Sequence, residues 1–174
     1  MTLRADAQRN LGRVLDAAAE VFAERGPGAS VDEIARRAGV GHATVFRRFP
    51  TKDALIAAVV EQRIAELHGM AEQALEAEDA GAAFTEFVWR AAELNARDRG
   101  LHDCLLRCAQ SPAALALQDA GVRVVARAQQ AGAVRTDIPA EDVPALIRAA
   151  LRAAPPGQWR SYVQIVLDGL RPRG

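Results

Sequence analysis

A chain of 174 residues, half of them hydrophobic and a quarter charged, has room for one globular domain with a smaller second unit, which excludes a wholly disordered or fibrous polymer. The formal net charge is zero, with Arg and Lys outnumbering Asp and Glu nine to seven over residues 1–53 and trailing thirteen to fifteen thereafter, so charge alone does not announce a nucleic-acid binder. No apolar run reaches the roughly 18 residues that would span a bilayer, the start MTLRADAQRN lacks a signal-peptide core, and the two cysteines, Cys104 and Cys108, do not resemble a secreted disulfide framework, so a cytoplasmic protein with no membrane partner is expected.

Apolar residues recur at a period of 3.6 almost throughout, which predicts an all-α fold. It divides into a three-helix domain over residues 1–52 and a helical domain over 53–174, about nine helices in all. The first helix is predicted over residues 6–25, with Leu11, Leu15, Ala18 and Phe22 on one stripe and Val14 and Val21 beside it, until Gly26-Pro27-Gly28 stops it. Ser30 is a good N-cap. Glu33, three residues on, completes a capping box for a short helix whose inward residues are Val31, Ile34, Ala35 and Ala38. Gly39 can take the left-handed conformation that closes a helix, so the chain reverses within residues 39–41 and a third short helix comes next over 42–48.

Pro50 disfavours helix at Phe49, and Thr51 can cap a long helix reaching residue 76 with Leu55, Val59, Leu67 and Ala71 on its buried side. Further helices are predicted over residues 82–96, 101–109, 112–131, 140–153 and 158–170. The breaks between them are Asp98-Arg99-Gly100, Ser111-Pro112, Gly132 with Asp137-Ile138-Pro139, and Pro155-Pro156-Gly157.

The stretch SVDEIARRAGVGHATVFRRFPTK, residues 30–52, is a capped helix, a tight glycine turn and a second short helix, a helix-turn-helix pattern. In such a unit the second helix enters the major groove of double-stranded DNA while the first crosses the backbone. Ile34, Ala35, Val40, Val45 and Phe49 would hold the crossing, leaving Gly41, His42, Ala43, Thr44, Phe46, Arg47 and Arg48 on the outside. Thr44 and His42 can donate or accept at base edges, and Arg47 and Arg48 suit phosphate or guanine. Lys52 lies in a helix's first turn, where a cation opposes the dipole. A bound phosphate would account for it and for the free N–H groups over residues 51–53.

LDAAAEVFAERG, SVDEIARRAGV and GHATVFRRFPTKDAL together resemble the first four helices of the tetracycline-repressor (TetR) family of transcriptional regulators. The resemblance implies DNA contacts at Ser30, His42, Thr44, Phe46 and Lys52, with Arg47 and Arg48 close by. It also implies a C-terminal domain that binds an effector and dimerises, and hence a ligand-responsive repressor on a palindromic operator. Phe46 stands where the family usually has Tyr, and Gly41 where it usually has Ser.

Outside the motif the readings are plainer. Arg4, Arg9 and Arg13 read as a solvated face that could lend a phosphate contact. Cys104 and Cys108 share a helix face, but His102 points away from Cys104, so buried packing is expected rather than a metal or redox site. The resemblance suggests a pocket for a small, largely apolar effector among His68, Phe84, Phe87, Trp89, His102 and Leu105, with Leu94, Asn95 and Gln118 as further candidates, although core packing would use the same aromatic residues. The last two helices carry more apolar surface than an outer pair needs. Leu146, Ala150, Trp159, Tyr162, Val163 and Val166 are therefore expected to face a second copy across a two-fold axis. The rival reading, a helical enzyme or small-molecule carrier whose N-terminal unit only packs, finds no nucleophile–base pair, phosphate loop or HExxH motif to support it, and no cofactor is expected.

Overall fold

The computed structural model describes residues 2–26, 28–97 and 111–172, and those residues are helical with no strand. The helices are α1 (Thr2–Arg25), α2 (Val31–Ala38), α3 (His42–Arg48), α4 (Lys52–Glu76), α5 (Ala80–Arg97), α6 (Pro112–Gln130), α7 (Val143–Ala153) and α8 (Trp159–Gly169). The helix expected over 101–109, with His102, Cys104, Leu105 and Cys108, lies outside the described residues.

Three helix starts differ from the expected ones by two residues or more, each for a local reason. α1 begins at Thr2 rather than at residue 6, since residues 2–10 hold no Gly or Pro to stop a helix from extending toward the N-terminus. α5 begins at Ala80 rather than at residue 82, because the Asp79 carboxylate accepts the N–H groups of Gly81 and Ala82, each at 2.9 Å. α7 begins at Val143 rather than at residue 140. The Asp142 N–H is engaged in a turn with the Pro139 carbonyl at 3.0 Å, and Pro144 sits in the helix's first turn.

By packing, the chain falls into two compact units, one running to Arg63 and the other taking in residues 64–96 and 111–174. In the first, Val14, Ala18, Val21 and Phe22 of α1 are buried together with Ile34 of α2, Val45 of α3, and Leu55, Val59 and Val60 of α4. Ala18 and Phe22 of the expected α1 stripe lie in this core with Val14 and Val21, whereas Leu11 and Leu15 of that stripe are half-buried. Gln62 adds a link by donating to Asp16 at 3.0 Å.

The second unit closes around Phe84, Val88 and Ala92 of α5, Val124 and Val125 of α6, Val143 of α7, and Trp159 and Val163 of α8. Arg127 donates to the carbonyls of Ala74, at 3.1 Å, and Ala77, where the end of α4 leaves acceptors that favour a cation. Arg135 does the same for α8, its side chain donating to the Gly169 carbonyl at 3.2 Å while its backbone N–H meets the Leu170 carbonyl at 2.9 Å.

Candidate nucleic-acid interface

α2 is fastened at both ends and along its side. Ser30 is extended (φ −79°, ψ 140°), and its Oγ accepts the Asp32 N–H at 3.1 Å. The capping box expected of Ser30 and Glu33 is half realised. Glu33 is buried at 8% exposure and its carboxylate pairs with Arg25 of α1 at 2.9 Å, a stronger partner than a backbone N–H. On the outer face Arg37 donates twice to the Glu24 carboxylate, at 2.7 and 2.9 Å, and this guanidinium holds the Glu24 carboxyl below the usual range.

The turn after α2 forms as the glycine implies. Gly39 adopts φ +67°, its N–H donates to the Arg36 carbonyl at 3.2 Å, and the Val40 N–H donates to Ala35 at 3.0 Å. A third donor comes from α1. Arg13, expected on a solvated face, places Nη2 at 2.6 Å from the Ala38 carbonyl. Arg9 and Asn10 stay exposed near the start of α1.

α3 contrasts with α2. Its N-cap, Gly41, is extended and has no side chain to accept a hydrogen bond. The Thr44 and Val45 N–H groups instead meet the Gly41 carbonyl at 2.9 and 3.4 Å. Val45, at 1% exposure, is the buried residue of the helix, and Phe49 just beyond it is also buried. Ser30, Gly41, His42, Ala43, Thr44, Phe46, Arg47 and Arg48 are all exposed, as the motif requires. Two of them are not independent. His42 Nε2 lies 3.1 Å from Asp32 Oδ1, and the His42 and Phe46 rings approach to 4.4 Å between centroids, tilted by 43°. Asp32 thus joins the site.

Thr51 caps α4, its Oγ1 accepting the Ala54 N–H at 3.1 Å. Half-buried Lys52 stands in the first turn beside it. Together α3 and the start of α4 present hydroxyl, imidazole and guanidinium groups on one short helix with an ammonium nearby. This is a donor-rich set of the size that a major groove about 12 Å wide accepts.

The remaining candidates are dispersed within the second unit. Phe84 and Trp89 line a half-open concavity of about 560 Å³ bounded by Val134, Leu167 and Leu170, while Phe87 lines a separate one of about 260 Å³ with Met70 and Arg90. His68 borders neither, lying instead 3.9 Å from Glu72, its neighbour one turn on. Leu94 is buried, Asn95 donates back to the Ala91 carbonyl at 2.9 Å, and Gln118 is exposed.

Of the residues expected to face a second copy, Trp159 and Val163 are buried in the chain's own core, with Trp159 set edge-on to Trp89 at 6.0 Å. Leu146 is 45% exposed, Ala150, Tyr162 and Val166 are half-buried, and Ile165 is 69% exposed. Among the described residues, no helix is long and apolar enough to cross a membrane, and no group of three or more His, Cys, Asp or Glu could hold a metal ion.

Residues 14–59 match the model of bacterial regulatory proteins of the tetR family, and residues 79–172 match that of the SbtR-like transcriptional regulator C-terminal domain. An HTH-type transcriptional repressor from Mycobacterium tuberculosis is 53% identical over 49 residues, which is 28% of this chain and 26% of that protein. A similar regulator from Mycobacterium bovis matches to the same extent, so the matched stretch spans only about a quarter of these curated relatives. Among the crystal structures that match over nearly their whole lengths are two TetR-family regulators of higher identity. A TetR transcription regulatory protein from Mycobacterium vanbaalenii is 39% identical with a TM-score of 0.78, covering 97% of this chain and 99% of that one. A TetR transcriptional regulator from Streptomyces coelicolor is 28% identical with a TM-score of 0.76, covering 94% and 99%.

Proposed function

The chain belongs to the TetR family of bacterial regulatory proteins, and from that premise we propose that it is a cytoplasmic, homodimeric transcriptional repressor that reads a palindromic operator through α3 of each subunit. The observation that carries this is the asymmetry of α3. Val45 alone is buried, and every other side chain of the helix is presented outward above the fastened α2. Thr44 and Arg47 are the residues for base edges. Arg48, Lys52 and Ser30 serve the phosphates, and Phe46, without a hydroxyl, serves as an apolar contact. Repression rather than activation is taken from the sense of the Mycobacterium tuberculosis relative.

Dimerisation through α7 and α8 is supported by the apolar side chains they leave exposed, Leu146 and Ile165, flanked by Ala150, Tyr162 and Val166. A two-fold axis between copies suits half-sites about 34–36 Å apart, one turn of DNA. Release is assigned to a small, largely apolar effector that prefers the conformer with the reading helices wrongly spaced. The concavity edged by Phe84 and Trp89 is the candidate position. Selecting bound sites from random duplexes with the full chain tests the reading. A palindrome with salt-sensitive binding is expected, and a chain that enriches no sequence even at low salt would overturn it.

A further inference from the structure

The turn between α2 and α3 is closed by a residue from outside it. Arg13, midway along α1, donates from Nη2 to the carbonyl of Ala38, the last residue of α2, at 2.6 Å. That carbonyl is one of those a helix end leaves without an intrahelical partner, and the dipole there favours a cation. Asn10 Oδ1 lies 3.5 Å from the other terminal nitrogen, on the same side of α1. A steric counterpart reinforces the contact, since a Cβ built on Gly39 would fall 2.6 Å from Arg13 Nη2. Glycine at this position therefore serves both the left-handed turn and the guanidinium lodged against it.

Beyond the turn, α3 starts at an uncapped glycine and buries only Val45, so it has few contacts of its own to fix its direction. We propose that Arg13 is a positioning residue for DNA reading: it clamps the end of α2, thereby aims α3, and does not act as a phosphate contact. This rests on the reading of α3 as the DNA-reading helix. Arg13 acts through the turn, so its removal should weaken recognition of the correct sequence while leaving the number of neutralised phosphates unchanged.

The test is a salt titration of full-chain binding to the selected duplex and to an unrelated one. Arg13→Met, which keeps the apolar stem, is expected to bind the selected duplex about tenfold more weakly, to bind the unrelated duplex as before, and to keep the slope of log affinity against log salt. Arg13→Lys should recover part of the deficit, because an ammonium can still donate to one carbonyl. Gly39→Ala should cost less in the Arg13→Met background than alone, since the displaced guanidinium is already gone. A slope shallower by about 0.9, the value of one phosphate left unneutralised, with equal weakening on both duplexes, would make Arg13 a phosphate ligand and overturn the proposal, as would Arg13→Met binding like wild type. Thermal unfolding accompanies each variant, and if Arg13→Met does not fold, Arg13→Lys decides: selective weakening at constant slope supports the proposal and uniform weakening overturns it. A wild-type chain that prefers no duplex defeats the DNA-reading assignment itself, before any variant is compared.

Discussion

α2 and α3 are consecutive helices of eight and seven residues, and they are held in place by opposite means. α2 buries Ile34, Ala35 and Ala38, is capped by Ser30, is clamped by Arg13, and is tied to α1 through Glu33 with Arg25 and through Arg37 with Glu24. α3 has no side-chain cap, buries Val45, and carries one lateral contact, His42 with Asp32. If α3 reads DNA as proposed, its outward side chains cannot also hold it in place. The neighbouring helix supplies the anchorage instead.

The largest expected effect comes from the two buried aliphatic anchors. Ile34→Ala should cost about 2–5 kcal/mol of stability in denaturant unfolding, because it empties a fully buried site beneath α2. Val45→Ala removes less carbon, about 2 kcal/mol, yet should weaken DNA binding more than its stability loss suggests, because Val45 is the one buried residue within α3 itself. If Ile34→Ala weakens binding more than Val45→Ala when both variants are folded, the division of labour between the helices is wrong.

Capping gives the next step down. Ser30→Ala should cost about 1 kcal/mol, while Gly41→Ser, which offers α3 the cap it lacks, should gain only a few tenths in thermal unfolding. A larger gain at Gly41 than loss at Ser30 would reverse the comparison.

The smallest effect concerns pH. The Glu24 carboxyl is depressed by its hydrogen bonds to Arg37, so the pair's contribution is fully present above about pH 4.3 and is lost as pH falls through the lower folded value. Glu24→Gln should therefore flatten this part of the acid limb of stability and change nothing at neutral pH beyond a slight, salt-screened loss. An unchanged acid limb would mean that the pair contributes nothing measurable.

The parts of this arrangement that were legible in the sequence act over a few residues. Ser30 and Thr51 as caps, Gly39 as a left-handed stop and Val45 as the inward residue of α3 come from local chemistry, and the structure bears each out. Asp79 caps α5 by equally local chemistry, although the start of that helix was expected two residues later, at residue 82. Pairing across elements could not be read. Arg13 and Ala38 are 25 residues apart and Glu24 and Arg37 are 13 apart, and their contacts depend on how α1 crosses α2.

The second unit shows the same limit. Periodicity marks Trp159 and Val163 as one apolar face with Tyr162 and Val166 beside it, but it does not distinguish a subunit's own core from a partner's surface. Trp159 and Val163 proved to be core, and Leu146 and Ile165 are left outside. Phe84, Phe87 and Trp89 lie close together on α5, yet they border two concavities rather than one, a division the helical period does not show, since Phe84 and Phe87 are three positions apart on one side of the helix.

Whether the outer face of α3 reads base edges turns on Thr44. Thr44 is exposed beside the buried Val45, so Thr44→Ala leaves the packing of the helix alone. Affinities of wild type and Thr44→Ala should be measured on the selected duplex and on duplexes changed one base pair at a time. Loss of about 1–3 kcal/mol of discrimination at a single position in each half-site, with an unchanged salt slope, is the predicted result. Equal preferences in wild type and variant at every position would mean that Thr44 reads no base edge and that α3 is not the reading helix as described.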